Sequence, residues 1–215
     1  MKEEELNLIT KLKQSPFCRR HYYKKGDALI NQGCCDGHLY LLEDANISVA
    51  YHSISGKRYT ISYETDFTGI LGEMEIFRDE EESVFSIFAE HKSQCYIIDR
   101  KHITECITQD PQIAISLLKI ISSRYENSIT QAMKRILYPL KYNIIDTLLQ
   151  KSQHSHDGWF DLHVTKNSTL LGSSSRSYRR ILKVLLDQNL ILKQGKKYQI
   201  IDKNSLMNEL KNSDI

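Results

Sequence analysis

Arg176, Arg179 and Arg180 fall within one short span that follows Gly172 and a run of serines, and the chain then turns apolar. A guanidinium presents a planar fork of N–H donors, which pairs bidentately with phosphate or with guanine O6 and N7. Three forks on the first turns of one helix suit a polyanion, where the plainer alternative is a solvated helix face. Ser174 is placed to cap that helix, and Ser175 to bond a base or a phosphate. Thr165 is expected to cap the preceding helix, with Lys166 and Thr169 on it. Lys196 and Lys197 sit on the hairpin that follows, and these groups are expected near phosphates.

The charge distribution decides between the two alternatives. Residues 1–110 hold 13 Lys/Arg and 19 Asp/Glu, a net of −6, and residues 111–215 hold 16 and 8, a net of +8. Between 165 and 197 there are eight basic residues and one acidic residue, Asp187. A basic half joined to an acidic half is the footprint of a nucleic-acid module attached to something else.

The elements that position these residues read as helix, glycine turn, helix, hairpin. Leu170, Leu171, Ile181, Leu182 and Leu185 are the candidate buried side, and "LILKQGKKYQIID" folds back at Gln194-Gly195. That order is a winged helix-turn-helix, whose second helix enters the major groove of DNA. Upstream, "WFDLHV" reads as a short strand and "PLKYNIIDTLLQK" as a helix starting at Pro139. Between Asp110, a candidate N-cap, and Pro139 no breaker interrupts about 27 residues, a helix about 40 Å long. Its stripe at Leu117, Ile121, Tyr125 and Ile129 is expected to be a seam between two copies of the chain. From Tyr22 to Asp99 the pattern is of short strands with turns, as in an antiparallel roll, sandwich or barrel. The expected organisation is α+β: a β-roll sensor at 1–109, a dimerisation helix and hinge at 110–138, and a winged helix-turn-helix at 139–215.

Other chemistries find less support. Cys18, Cys34, Cys35, Cys95 and Cys106 are odd in number and lack CxxC spacing, against a disulfide framework or a zinc ribbon, although Cys34-Cys35 is a candidate redox pair. His154 and His156 form an HxH pair in a polar loop, with no Glu at ligand spacing, so a cupin-type metalloenzyme is the weakest alternative. No phosphate loop, nucleophile elbow or paired-carboxylate arrangement occurs, and no enzyme activity is expected. No apolar run approaches eighteen residues, and "MKEEELNLITKLKQ" has no signal-peptide core, so a cytoplasmic protein without a membrane partner is expected.

"GSSSRSYRRILKVL" resembles the recognition-helix signature of the Crp/Fnr transcription regulators, matching it at Gly172, Ser174 and Arg180. Ser175 stands where many members carry a base-reading arginine, Arg176 where many carry glutamate, and Tyr178 is bulkier than the usual residue. "YYKKGDALINQG", "LYLLEDANISV" and "GILGEMEIF" are similar to the family's β-roll, with Gly26, Gly33 and Gly72-Glu73 at its turns and Ala45 in place of a glycine. The resemblance implies a bacterial homodimer on a palindromic operator, with RNA polymerase and a small-molecule effector as further partners. It places the effector pocket at Gly72, Glu73, Ser83 and Tyr125. Cyclic-nucleotide-binding members hold the phosphate with an arginine where this chain has Ser83, preceded by Asp79-Glu80-Glu81-Glu82. The effector is therefore expected not to be cyclic AMP, and no cofactor is assigned. A sensor module acting on a protein partner is the remaining alternative, and the basic C-terminal half argues against it.

Overall fold

The computed structural model describes residues 2–34, 37–78, 82–153, 155 and 157–212. Cys35, Asp79, Glu80, Glu81, His154 and His156 lie outside the described residues, so the cysteine pair, most of the acidic run and the HxH pair fall on them. The chain divides into two compact units, residues 1–126 and 127–215.

In the first unit, α1 (Lys2–Lys13), β1 (Arg19–Tyr23), β2 (Ala28–Ile30), β3 (His38–His52) and β4 (Arg58–Leu71) come first. They are followed by α2 (Glu73–Ile76), β5 (Ser86–Ala89), β6 (Ser93–Asp99), α3 (Arg100–Gln109) and the start of α4 (Gln112–Leu137). The strands are not uniformly short, as the sequence suggested. β3 and β4 form one long hairpin, and β3 also pairs with β6 along its first half and with β5 along its second. One strand serving two partners end to end must bend. The bend falls where the β3–β4 register shifts between Leu42 and Ala45. The turn expected at Ala45 is this bulge: Asp44 takes φ 50°, and Ala45 packs inside with its methyl buried.

Two apolar layers close the roll. Tyr40, Leu42, Ile47, Ile87 and Ile97 pack on one another along one side. Leu39, Leu41, Ile70 and Ile98 on the other take Leu8, Ile9 and Leu12 of α1, Ile103 of α3, and Ile113, Leu117 and Ile120 of α4. Each such side chain taken fully out of water contributes about 1.5–3 kcal/mol. That burial explains why a helix as charged as α1 forms here. Asp110 caps α4 by accepting the Gln112 N–H at 3.0 Å. Leu117 is fully buried against the roll, so it is not available as a seam residue, contrary to the stripe read from sequence.

In the second unit, α5 (Leu140–Gln153), β7 (Trp159–Asp161), α6 (Val164–Leu170), α7 (Ser175–Asp187), β8 (Ile191–Gln194), β9 (Lys197–Ile200) and α8 (Lys203–Asn212) surround one core. The three strands pair in the order β7-β9-β8, all antiparallel. β7 is three residues long, shorter than "WFDLHV" suggested, and the β8–β9 turn is at Gly195-Lys196, one residue later than expected. Ile144, Ile145 and Leu148 of α5, Tyr178, Leu182 and Leu185 of α7 and Leu206 of α8 fill the centre. At the junction of α4 and α5 the Asn143 amide donates to the Lys134 and Tyr138 carbonyls at 3.3 and 3.0 Å. Pro139 lacks the N–H that would continue the ladder of α4, whose Lys134 carbonyl also accepts the Tyr138 N–H at 3.1 Å.

Candidate nucleic-acid interface

α7 is amphipathic because its apolar residues recur at 178, 182 and 185, a helical spacing that turns them all into the core. The same spacing turns Arg176, Arg179, Arg180 and Lys183 outward, and all four are exposed. No acidic side chain stands among them, Asp187 being a full turn further on. The helix begins as expected: the Ser174 hydroxyl accepts the Ser177 N–H at 3.1 Å, and Gly172 takes φ 60° in the turn before it.

Ser175 is not free for a base in this arrangement. Its Oγ lies 3.0 Å from Ser168 Oγ, and Ser168 in turn donates to the Thr165 carbonyl at 3.0 Å. Sequence reasoning missed Ser168, a fully buried serine that pins α6 to α7. The signal was there, as a serine seven residues before another across a turn between two apolar helices. Thr165 does not cap α6: His163 is the N-cap residue, and Thr165 sits in the first turn, its carbonyl also taking the Thr169 hydroxyl at 2.9 Å. Lys166 is half-buried, whereas Lys196 and Lys197 are exposed on the β8–β9 hairpin.

Tyr178 is the costly choice in α7. Its ring fills the core, its hydroxyl finds no hydrogen-bond partner among the described residues, and burial pushes its ionisation up.

The residues expected to line an effector pocket lie in the first unit. Gly72 takes φ 83°, and a Cβ there would stand 2.3 Å from the His38 carbonyl oxygen, so only glycine fits. Glu73 follows at the start of α2, 6% exposed, with Oε1 2.6 Å from Arg124 Nη1. Burial pushes its carboxyl up, and the Arg124 guanidinium pulls the other way. Ser83 is buried, donating its hydroxyl to Glu75 Oε1 at 2.8 Å. Tyr125 is 68% exposed on α4. Arg124 beside it, which sequence reasoning passed over, is the residue that reaches Glu73.

Among the free thiols, burial pushes Cys95 up to about 12, and Cys34 is exposed. Among the described residues no group of three His, Cys, Asp or Glu side chains is placed to hold a metal ion. No helix among them is long and apolar enough to cross a membrane.

A cyclic nucleotide-binding domain model matches residues 20–110, the roll and α3. The cAMP-activated global transcriptional regulator CRP of Salmonella typhimurium is 28% identical over 189 residues, covering 83% of this chain and 88% of that protein. The regulator of the same name in Haemophilus influenzae is 26% identical over 187 residues, covering 83% and 82%. These matches support the resemblance of the chain to the Crp/Fnr transcription regulators. Solved structures of the same fold include the c-di-GMP responsive global regulator CLP of Xanthomonas campestris. It has a TM-score of 0.77 at 17% identity, over 92% of this chain and 100% of that one. A CRP/FNR-family transcriptional regulator from Thermus thermophilus has a TM-score of 0.68 at 16% identity, over 91% and 100%. The relatives support a bacterial DNA-binding transcription regulator, and α7 with the β8–β9 hairpin is its candidate interface.

Proposed function

We propose that the chain acts as a cytoplasmic homodimer that reads a palindromic operator with α7 and has no enzymatic activity. The observation that carries this is the outer face of α7, where four cations stand without an acidic partner among the described residues, over an apolar inner face. Arg176 and Arg180, one helical turn apart, are assigned to bases. Lys166, Lys196 and Lys197 are assigned to phosphates, with Thr165 and Thr169 beside them, and Arg179 completes the groove contact. Ser174 and Ser175 contribute by fixing the start of α7.

The seam between copies is assigned to α4, shifted from the stripe read in sequence. Leu118, Ser122, Tyr125, Ile129, Ala132 and Ile136 recur at alternating steps of four and three, the spacing of a two-stranded coiled coil. All are exposed. A face of this size left in water is unusual for a monomer. Residues 110–138 are thus assigned to dimerisation and hinge, between a sensor at 1–109 and a DNA reader at 139–215. RNA polymerase is the further partner of such a regulator on a promoter.

The cyclic-nucleotide activation named for its relatives is not carried over. A phosphate at Ser83 would meet a hydroxyl already given to Glu75, with Glu82 close in sequence, where an arginine would have offered its guanidinium. Losing one charge-assisted pair of about 3 kcal/mol weakens binding roughly a hundredfold. Isothermal titration with cyclic AMP and cyclic GMP is expected to give no dissociation constant in the low micromolar range; such a constant would contradict the assignment. The DNA reading is tested by selecting operators from random duplexes. Inverted half-sites one helical turn apart support it, and selection of no consensus counts against it.

A further inference from the structure

β4 pairs with β3 on one side only, leaving its other edge open near Ile70. Both backbone groups of Ile70 on that edge are met by side chains. Its N–H donates to Glu5 Oε1 at 2.9 Å, and its carbonyl accepts from Arg124 Nη1 at 2.5 Å. Arg124 Nη2 then donates to the same Glu5 oxygen at 2.7 Å, closing a ring of hydrogen bonds. One acid from α1 and one base from α4 together imitate the residue of a missing neighbouring strand. Two glycines make the room: a Cβ on Gly69 would lie 2.8 Å from Glu5 Oε1, and Gly72 brings Glu73 within 2.6 Å of Arg124.

We propose that Glu5, Arg124 and Glu73 form a resident clamp that does the work of a small-molecule effector, so that this regulator binds its operator without one. The inference rests on the proposed operator-binding dimer. The carboxylate of Glu73 and the hydroxyl of Ser83, two of the groups the family resemblance puts at an effector pocket, already have partners within the chain. A ligand shifts a conformational equilibrium only through its differential affinity for the two states. Here that difference is supplied by Arg124, which ties α4 to the roll at the residue just before Tyr125 of the assigned seam. Glu4–Lys119 at 2.7 Å ties α1 to the same helix, and Lys11–Asp110 ties it to the residue that precedes that helix and caps it. Two carboxylates share one guanidinium in a mostly buried place, an arrangement that apolar packing would match or exceed in stability. What it fixes is position, and Glu5 and Arg124 are positioning residues.

The test uses the full chain, unfolded in guanidinium, dialysed free of small molecules and refolded, with operator affinity read by mobility shift. The refolded wild type is expected to bind within about twofold of the protein as purified, with no gain from cyclic AMP, cyclic GMP or a boiled, size-filtered cell extract. Glu5→Ala and Arg124→Lys are expected to lose about tenfold, within the usual span of coupling between sites. Glu5→Gln keeps the acceptor oxygen and is expected to stay within about threefold of wild type. Circular dichroism identifies the folded variants, and Arg124→Lys keeps the charge should Glu5→Ala not fold. A gain of about tenfold on adding any of the small molecules, or a folded Glu5→Ala or Arg124→Lys that binds as wild type does, would overturn the clamp. Refolded and untreated wild type both failing on every operator would instead overturn the DNA reading, and the clamp with it.

Discussion

Glu73 shows how one side chain links burial to pH. Its folded carboxyl is raised above the ordinary glutamate value, chiefly by burial, and Arg124 offsets only part of that. A group raised on folding binds its proton more tightly in the native state. Its contribution to stability is full below the unfolded value near pH 4.3 and is lost as pH rises through the folded one. Glu73→Gln removes that dependence while keeping an acceptor for Arg124. Thermal unfolding followed from pH 5 to pH 8 is expected to show a shallower decline in the variant than in wild type. An unchanged slope would mean that another group carries it. The arginines of α7 were legible at this scale because free charge on an apolar helix has few uses. Ser168 was not, since a buried serine bonded across a turn looks in sequence like any loop serine, and Arg124 looked like a solvated helix charge.

At the scale of elements, the winged helix-turn-helix was readable because each of its parts has a local signal: a Ser174 cap, a period in α7, and Gly172 and Gly195 at turns. The N-terminal and C-terminal helices were not. α1 and α8 carry few apolar residues, and both form because Leu8, Ile9 and Leu12 in one and Leu206 in the other are buried by distant parts of the chain. α4 was recognised as a helix, but its two apolar stripes were merged. Ile113, Leu117 and Ile120 face the roll, while Leu118, Tyr125 and Ile129 face out, and periodicity alone does not say which stripe its own chain covers. The two stripes predict different failures. Leu118→Glu with Ile129→Glu is expected to give folded monomers by sedimentation at micromolar concentration. Leu117→Glu places an unpaired charge in the roll and is expected to cost several kcal/mol, on the order of 3 or more, lowering the melting temperature of that unit. Dimers surviving the first pair of changes would remove α4 as the seam.

For the whole molecule, the division of charge is the feature that ties structure to use. An acidic roll does not attract DNA, so the net +8 from residue 111 onward must supply the non-specific attraction, and the contacts proposed for it are the lysines at the hairpin and the arginines on α7. The two kinds of contact separate by their salt dependence and by their sequence dependence. The most direct measurement compares wild type, Arg180→Ala and Lys197→Ala on the selected operator and on single-base variants of it, across a salt series. Arg180→Ala is expected to cost about 1–3 kcal/mol and to lose the preference at one position of each half-site. Lys197→Ala is expected to weaken all sequences alike and to lower the salt slope by about one. If Arg180→Ala keeps both the affinity and the base preferences of wild type, α7 does not read the operator.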